Sequence, residues 1–357
     1  MQKLLTTLII GIYFFLPNLI HAQNVEGFQS EYVKIEITGK EQTDTYSDLF
    51  YYQGVNRKGE VIEFEAVEDH ITIGSEVYLE HFIDADEYVF VTTDRTEVII
   101  ALVLLFILLV LWFTGKKGVR ALVSLLGSFL LLIFGLIPLL LKGYDPLLIS
   151  LGFGTLILFL SIFVTHGFTR QSAISFIGSG FSIVIATLLV VALTNFGSFS
   201  GITDHSAFFL SQYSDVQINF IRLFSAAVII GTLGVLDDIT ITQVSIVREL
   251  AHSSNEKRSV MFARALRVGK DHISSLVNTL VFAYVGSALP LIMFATEVDT
   301  PFMILISQEF IAAEIVRTFV GAIALIIAVP ITTWCACYPF FSYLKKDSSR
   351  HEHHHHH

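Results

Sequence analysis

Two adjacent carboxylates, Asp237 and Asp238, stand in the run Gly231-Thr232-Leu233-Gly234-Val235-Leu236-Asp237-Asp238-Ile239-Thr240-Ile241-Thr242-Gln243, with apolar residues on both sides. Paired acids in such surroundings can bind a cation, relay a proton or hold a divalent metal. Thr242 follows Asp238 by four residues, so its hydroxyl shares the Asp238 face of a helix while Asp237 points elsewhere. The glycines at 231 and 234 predict an unwound turn or a close helix contact. A second polar stripe, Asp271, Ser275 and Asn278, has the spacing i, i+4, i+7 and lines one helix face. On antiparallel helices, the aspartate pair and the Asp271/Asn278 stripe would meet at the same end of one cavity, forming a candidate substrate or ion site. A third group, Arg222, Glu314 and Arg317, with Glu309 nearby in sequence, reads at the first three as a gate or buried ion pair. Arg222 with Glu314 is the expected pairing, and Arg317 with Glu314 at i, i+3 is its alternative. A plainer reading pairs the acids with Arg264, Arg267 and Lys270. The pattern assigns no catalytic residue and no cofactor, and it leaves any metal open.

These residues need helices to hold them, and the composition supplies helices of one kind. The 357 residues are 53% hydrophobic and 15% charged, with mean hydropathy +0.67. A soluble domain carries about 25% charged residues, so this chain is read as α-helical and polytopic in a membrane. Stretches able to span a bilayer run over Val98–Thr114, Ala121–Leu141, Pro146–Thr165, Ala173–Leu193, Ile218–Leu236, Ile273–Ala295 and Phe310–Ala336. That makes about seven spans after an N-terminal signal, each a helix because lipid offers the backbone no partner. The glycines and hydroxyls of the first four spans, among them Gly127, Gly135, Gly152, Gly154, Gly178 and Gly180, are assigned to packing. Cys335 and Cys337 are read as small core residues.

Before the spans lies a different kind of sequence. Residues 23–97 hold 18 Asp and Glu against five Lys and Arg. Alternation at Val33/Ile35/Ile37, Val61/Ile62/Phe64, Ile71/Ile73/Val77/Leu79 and Tyr88/Phe90 predicts strands, with turns at Gly39, Asn56–Gly59 and Gly74. The expectation is a small acidic β-barrel or sandwich. Residues 1–22 read as a signal peptide or signal anchor, 98–345 as the helical domain, and 346–357 as a tail ending in a histidine tag. Lysine and arginine recur in alternate loops: Lys116, Lys117 and Arg120; Arg170; Arg248 to Lys270; and Lys345, Lys346 and Arg350. This asymmetry puts the β-domain outside the membrane and the C-terminus in the cytoplasm. An interfacial helix is expected from Ser206. A separate basic helix, Asn255–Lys270, is expected to rest on the membrane surface. The expected partners are the bilayer and an ion or small solute, with a homo-oligomer possible and no nucleic acid.

The runs GTLGVLDDITITQ, GKDHISSLVNTLVFAYVGSALPL and EFIAAEIVRTFVGAIALIIAVPITT closely resemble signature stretches of the YibE/F family of bacterial multi-pass membrane proteins. The resemblance covers about residues 85–340. It implies a membrane location and a multi-span fold, and no particular activity. The residues themselves point first to a permease or exporter. Its alternatives are a non-catalytic sensor or assembly factor presenting the β-domain and, less favoured, an intramembrane aspartate-dependent enzyme. For the enzyme, Gly234-Val235-Leu236-Asp237 lacks the glycine that precedes the acid in the GxGD run of intramembrane aspartyl proteases.

Overall fold

The computed structural model describes residues 30–42, 49–67, 70–213, 216–253 and 257–338. The expected signal segment and the tail lie outside these residues. The chain divides into two compact units, 1–108 and 109–357.

In the first unit, β1 (Ser30–Gln42), β2 (Phe50–Asn56), β3 (Val61–Ala66), β4 (Glu76–Phe82) and β5 (Glu87–Thr93) form one antiparallel sheet. The strand order is β3-β2-β1-β4-β5. Along β3 the residues alternate, with Ile62, Phe64 and Ala66 buried and Val61, Glu63 and Glu65 exposed. Ile35, Ile37, Tyr52, Phe64, Val77 and Leu79 make the core of one face. The sheet curls until its outer strands approach, and Phe64 on β3 stacks with Phe90 on β5 at a centroid distance of 6.2 Å. The outcome is a half-barrel. β2 is a strand the alternation did not reveal. Gly39 is no turn: it lies within β1 at a bulge, where the register against β2 shifts between Ile37 and Gly39. The Asn56–Gly59 turn does form. Asn56 Oδ1 accepts from the amides of Lys58 and Glu60 at 2.9 and 3.0 Å, and Gly59 takes a φ of 84°.

Where β5 gives way to the first helix, Lys34 Nζ lies 2.5 Å from carboxylate oxygens of both Asp94 and Glu76. Asp94 also accepts from the Thr96 amide at 2.8 Å, so one carboxylate ties β1 to the helix start. The hydrogen bond from Lys34, with that from Thr96, holds the Asp94 carboxyl well below the usual carboxylate range. Asp94, then Glu76, pushes the Lys34 ammonium above the ordinary lysine value.

The helices follow in order: α1 (Thr96–Thr114), α2 (Lys116–Leu130), a π-helical stretch Leu131–Leu136, α3 (Ile137–Leu141), α4 (Pro146–His166), α5 (Arg170–Phe196), α6 (His205–Tyr213), α7 (Phe220–Ser253), α8 (Arg258–Ser287), α9 (Leu289–Glu297), α10 (Phe302–Ser307) and α11 (Glu309–Cys337). Their starts are set locally. Asp145 accepts from the amides of Leu147 and Leu148 ahead of Pro146, and the Thr169 hydroxyl accepts from the Ser172 amide. Six helices are long and apolar enough to cross a membrane, and up to seven spans result if bent α8 and α9 count as one. In the second unit α5, α7 and α11 pack on one another, with α4 against α7 and α8 against α11. Cys335 and Cys337 are buried there.

Three expectations are corrected. The helix at Gly231 and Gly234 does not unwind, because α7 continues unbroken through both. A helix keeps its backbone bonds closed, which matters more in lipid than in water. Instead Gly231 makes room: a Cβ there would lie 3.2 Å from the Tyr284 hydroxyl of α8. Second, the basic segment and span six are one helix, α8, whose Met261, Ala265 and Gly269 are buried at intervals of four. Third, that span stops at Ala288, where α8 and α9 meet at 62°. Pro290 in the first turn of α9 has no amide hydrogen to continue the ladder.

Candidate functional site

Asp237 is the one member of the predicted set that the bundle encloses. It is half-buried on α7, and its Oδ2 accepts from the Ser161 hydroxyl of α4. Its Oδ1 is shielded and has no hydrogen-bond partner. No base forms an ion pair with it among the described residues. His166, at the end of α4, stands little more than a turn beyond Ser161.

The other predicted ligands stand apart. Asp238 is exposed, and Thr242 is partly buried. Asp271, Ser275 and Asn278 do share one face of α8, but that face is exposed, and between Lys270 and Ser287 no residue of α8 is buried. Among the described residues no bond joins Asp237 or Asp238 to Asp271 or Asn278, so the expected meeting of the two groups does not occur. Neither Asp238 nor Asp271 pairs with a base there. Spacing correctly put each group on a face; it could not say which neighbour that face meets.

At the other end of the bundle the expected Arg222–Glu314 pair is replaced by two pairs. Arg222 bonds Asp145, the residue that caps α4. Glu314 accepts from Arg317 at 2.6 Å within α11, and the Arg317 guanidinium lies 5.9 Å from the Phe224 ring centroid. Glu309 accepts from the Gly201 amide at 2.7 Å. Gly201 has a φ of 85°, and a Cβ there would fall 2.2 Å from the Phe220 carbonyl carbon, so only glycine fits.

The residues missed by sequence reasoning are neutral. Ser179 of α5 and Thr240 of α7 share a hydrogen bond at 2.7 Å. Gln243 of α7 donates through Nε2 to the Ala265 carbonyl at 3.0 Å and to Thr333 of α11 at 2.7 Å. The Ala265 carbonyl can only accept, which fixes the amide orientation and leaves Gln243 Oε1 without a donor. The hydroxyls of Ser175 and Thr332 are also buried and unpaired. The available signal was the spacing of Ser172, Ser175, Ser179 and Ser182, which puts four hydroxyls on one side of α5; all four are fully buried. Close approach makes this seam possible. At Gly178 a Cβ would lie 2.4 Å from Thr332 Oγ1, so α5 and α11 meet there almost backbone to backbone. Gly127, Gly135 and Gly154 are likewise covered by Leu160, Phe153 and Leu233, whereas Gly152 and Gly180 face open space.

One carboxylate bonded to a single hydroxyl, beside buried neutral oxygens, can exchange a proton or hold a small cation. No group of three or more His, Cys, Asp or Glu close enough to hold a metal ion occurs among the described residues. The family model for YibE/F-like protein matches residues 102–341. The chain belongs to the YibE/F-like family. The match begins within α1 and takes in every candidate site residue, so the site lies in the part of the chain that defines the YibE/F-like family, and the half-barrel lies outside it. Nothing matches among curated proteins or among solved structures.

Proposed function

We propose that this YibE/F-family membrane protein is a permease or exporter for an ion or small solute, with Asp237 as its binding or relay group. The observation that carries the reading is the Asp237 carboxylate on α7, bonded to Ser161 of α4 and to no ion-pair partner among the described residues. A charge enclosed in a membrane bundle is expensive unless paired, and acids retained there mark pathways for ions and protons. Ser179, Thr240, Gln243 and Thr333 supply neutral oxygens on the neighbouring faces. About four helical turns away along α7, Arg222 and Asp145 bond each other, and Glu314 and Arg317 do so on α11. Exchange of partners among those four would open or shut that end. The basic loops support a reading in which this end of the bundle faces the outer side of a bacterial cell membrane and the Asp237 end the cytoplasm. The sequence carries no nucleotide-binding motif, which favours an ion gradient as the driving force.

The test is flux in proteoliposomes, with protons read by a trapped pH dye and sodium by radioactive tracer. Asp237→Asn keeps the side-chain shape but cannot carry the charge, and it should abolish movement of the transported ion. Asp238→Asn should leave most of the flux. Undiminished transport by Asp237→Asn would refute the assignment.

A further inference from the structure

α8 carries polar groups on the side that the other described residues leave bare. Met261, Ala265 and Gly269 mark the buried side, and the helical repeat puts Arg267, Asp271, Ser274 and Asn278 nearly opposite. All four are exposed, and Asn278 lies in the apolar part of a helix that, taken with α9, is long and apolar enough to count as a bent membrane span. Ser274 satisfies itself by donating to the Lys270 carbonyl at 3.1 Å. Asn278 lies one turn further into the span and has no hydrogen-bond partner among the described residues. Arg267 and Asp271 form no ion pair there, with each other or elsewhere. Arg267 and Asp271 stand at the basic, cytoplasmic end of the helix, whereas hydrocarbon offers nothing to the Asn278 amide, so this face requires a polar cover at that depth.

We propose that the cover is the same face of a second copy of this chain, in a parallel dimer with its two-fold axis along the membrane normal. Two copies inserted in one orientation bring the two α8 helices together in parallel. A two-fold contact is reciprocal, so each Arg267 meets the partner copy's Asp271 one turn away, and each Asp271 the partner copy's Arg267. An amide both donates and accepts, so two Asn278 side chains near the axis satisfy each other. Ser274 is small enough to let membrane helices approach closely, and Asn278 is of the kind that hydrogen-bonds across them. The inference needs α8 in the bilayer and does not depend on anything being transported.

The full chain in mild detergent, sized by light scattering and by sedimentation over a dilution series, tests it. The native chain should be dimeric. Asn278→Leu should weaken the dimer at least tenfold, and Arg267→Asp or Asp271→Arg alone should do the same. The double exchange Arg267→Asp with Asp271→Arg should restore association, which a merely misfolded surface would not do. If a variant fails to fold, disulfide formation in membranes serves instead: Asn278→Cys and Asp271→Cys should cross-link two chains, whereas Leu280→Cys on the α11 side should not. A monomeric native chain would overturn the proposal. So would a dimer indifferent to all these changes, or cross-linking at position 280 in preference to 278. Loss of flux in Asp237→Asn leaves this result untouched, so the two readings fail separately.

Discussion

The Ser161–Asp237 contact predicts opposite effects from its two ends. Asp237 Oδ1 is shielded and unbonded, and Oδ2 is held by Ser161. A buried polar group without a partner costs about 1–3 kcal/mol, whereas replacing both partners of a hydrogen bond by apolar groups of the same shape is nearly neutral or stabilising. Asp237→Leu removes the unpaired oxygen, and Ser161 can turn its hydroxyl to a carbonyl of its own helix. The bundle should therefore gain about 1–3 kcal/mol. At roughly 2–4 °C per kcal/mol for a unit of this size, the midpoint of unfolding in detergent should rise by several degrees. Ser161→Ala leaves both carboxylate oxygens unpaired, and the midpoint should fall by a similar amount. In the double variant the loss should vanish, since no carboxylate remains to be orphaned. Scanning fluorimetry or circular dichroism on the purified full chain reads all three, with proteoliposome flux measured in parallel. Asp237→Leu should be more stable and inactive together, the mark of a residue kept for function at the expense of stability. If Asp237→Leu were destabilised by 2 kcal/mol or more, the carboxylate would have to be a satisfied structural group, and the reasoning would fail.

Two further outcomes follow from contacts described above. Gly178→Ala puts a methyl 2.4 Å from Thr332 Oγ1 and 3.2 Å from the Thr332 Cα, so turning the threonine side chain gives no relief. α5 and α11 must move apart, lowering thermal stability by about 1–3 kcal/mol, and an unchanged midpoint would show the contact to be looser than drawn. In the half-barrel, Asp94 is held below its ordinary value and Lys34 above its own, both by one interaction seen from its two ends. The stability it contributes is complete between about pH 4 and pH 10. It is lost as acid carries Asp94 through its depressed folded value, and as base carries Lys34 through its raised one. Hydrogen exchange of the β1 and β4 amides in the full chain should therefore quicken below about pH 4 more than intrinsic rates require. Asp94→Asn should remove that acid step and lower protection at neutral pH.

Much of the architecture was legible because lipid and sheet each impose a strong pattern. The long apolar runs of α1, α4, α5, α7 and α11 announced helices, and the alternation of β3 announced a half-buried strand. β2 escaped because Gln53 and Gly54 interrupt the alternation of Phe50-Tyr51-Tyr52, although Tyr52 and Gly54 are buried. The facing of helices was the harder matter. When the lipid side and the bundle side are both apolar, periodicity does not tell them apart. Hence the Asp271/Asn278 stripe was placed inward and lies outward, while the Ser175/Ser179 row was read as packing and borders the Asp237 region. The break at Ala288 was written in Pro290, but an apolar run on both sides concealed it. Arg222 was matched to Glu314 by depth alone, and Asp145, nearer because it caps the adjoining helix, takes that arginine instead.

The unbroken course of α7 has a mechanical consequence. Its 34 residues reach about 51 Å at 1.5 Å per residue, well beyond a hydrocarbon thickness of about 30 Å. With no hinge at the glycines, a twist applied at the Arg222 end travels the full shaft, and Asp237, Thr240 and Gln243 must turn as a set. Exposure of the acid to one side or the other would thus come from the rod pivoting among its neighbours, and the overhanging last turns would act as a handle through which the aqueous compartment feels, or drives, that rotation.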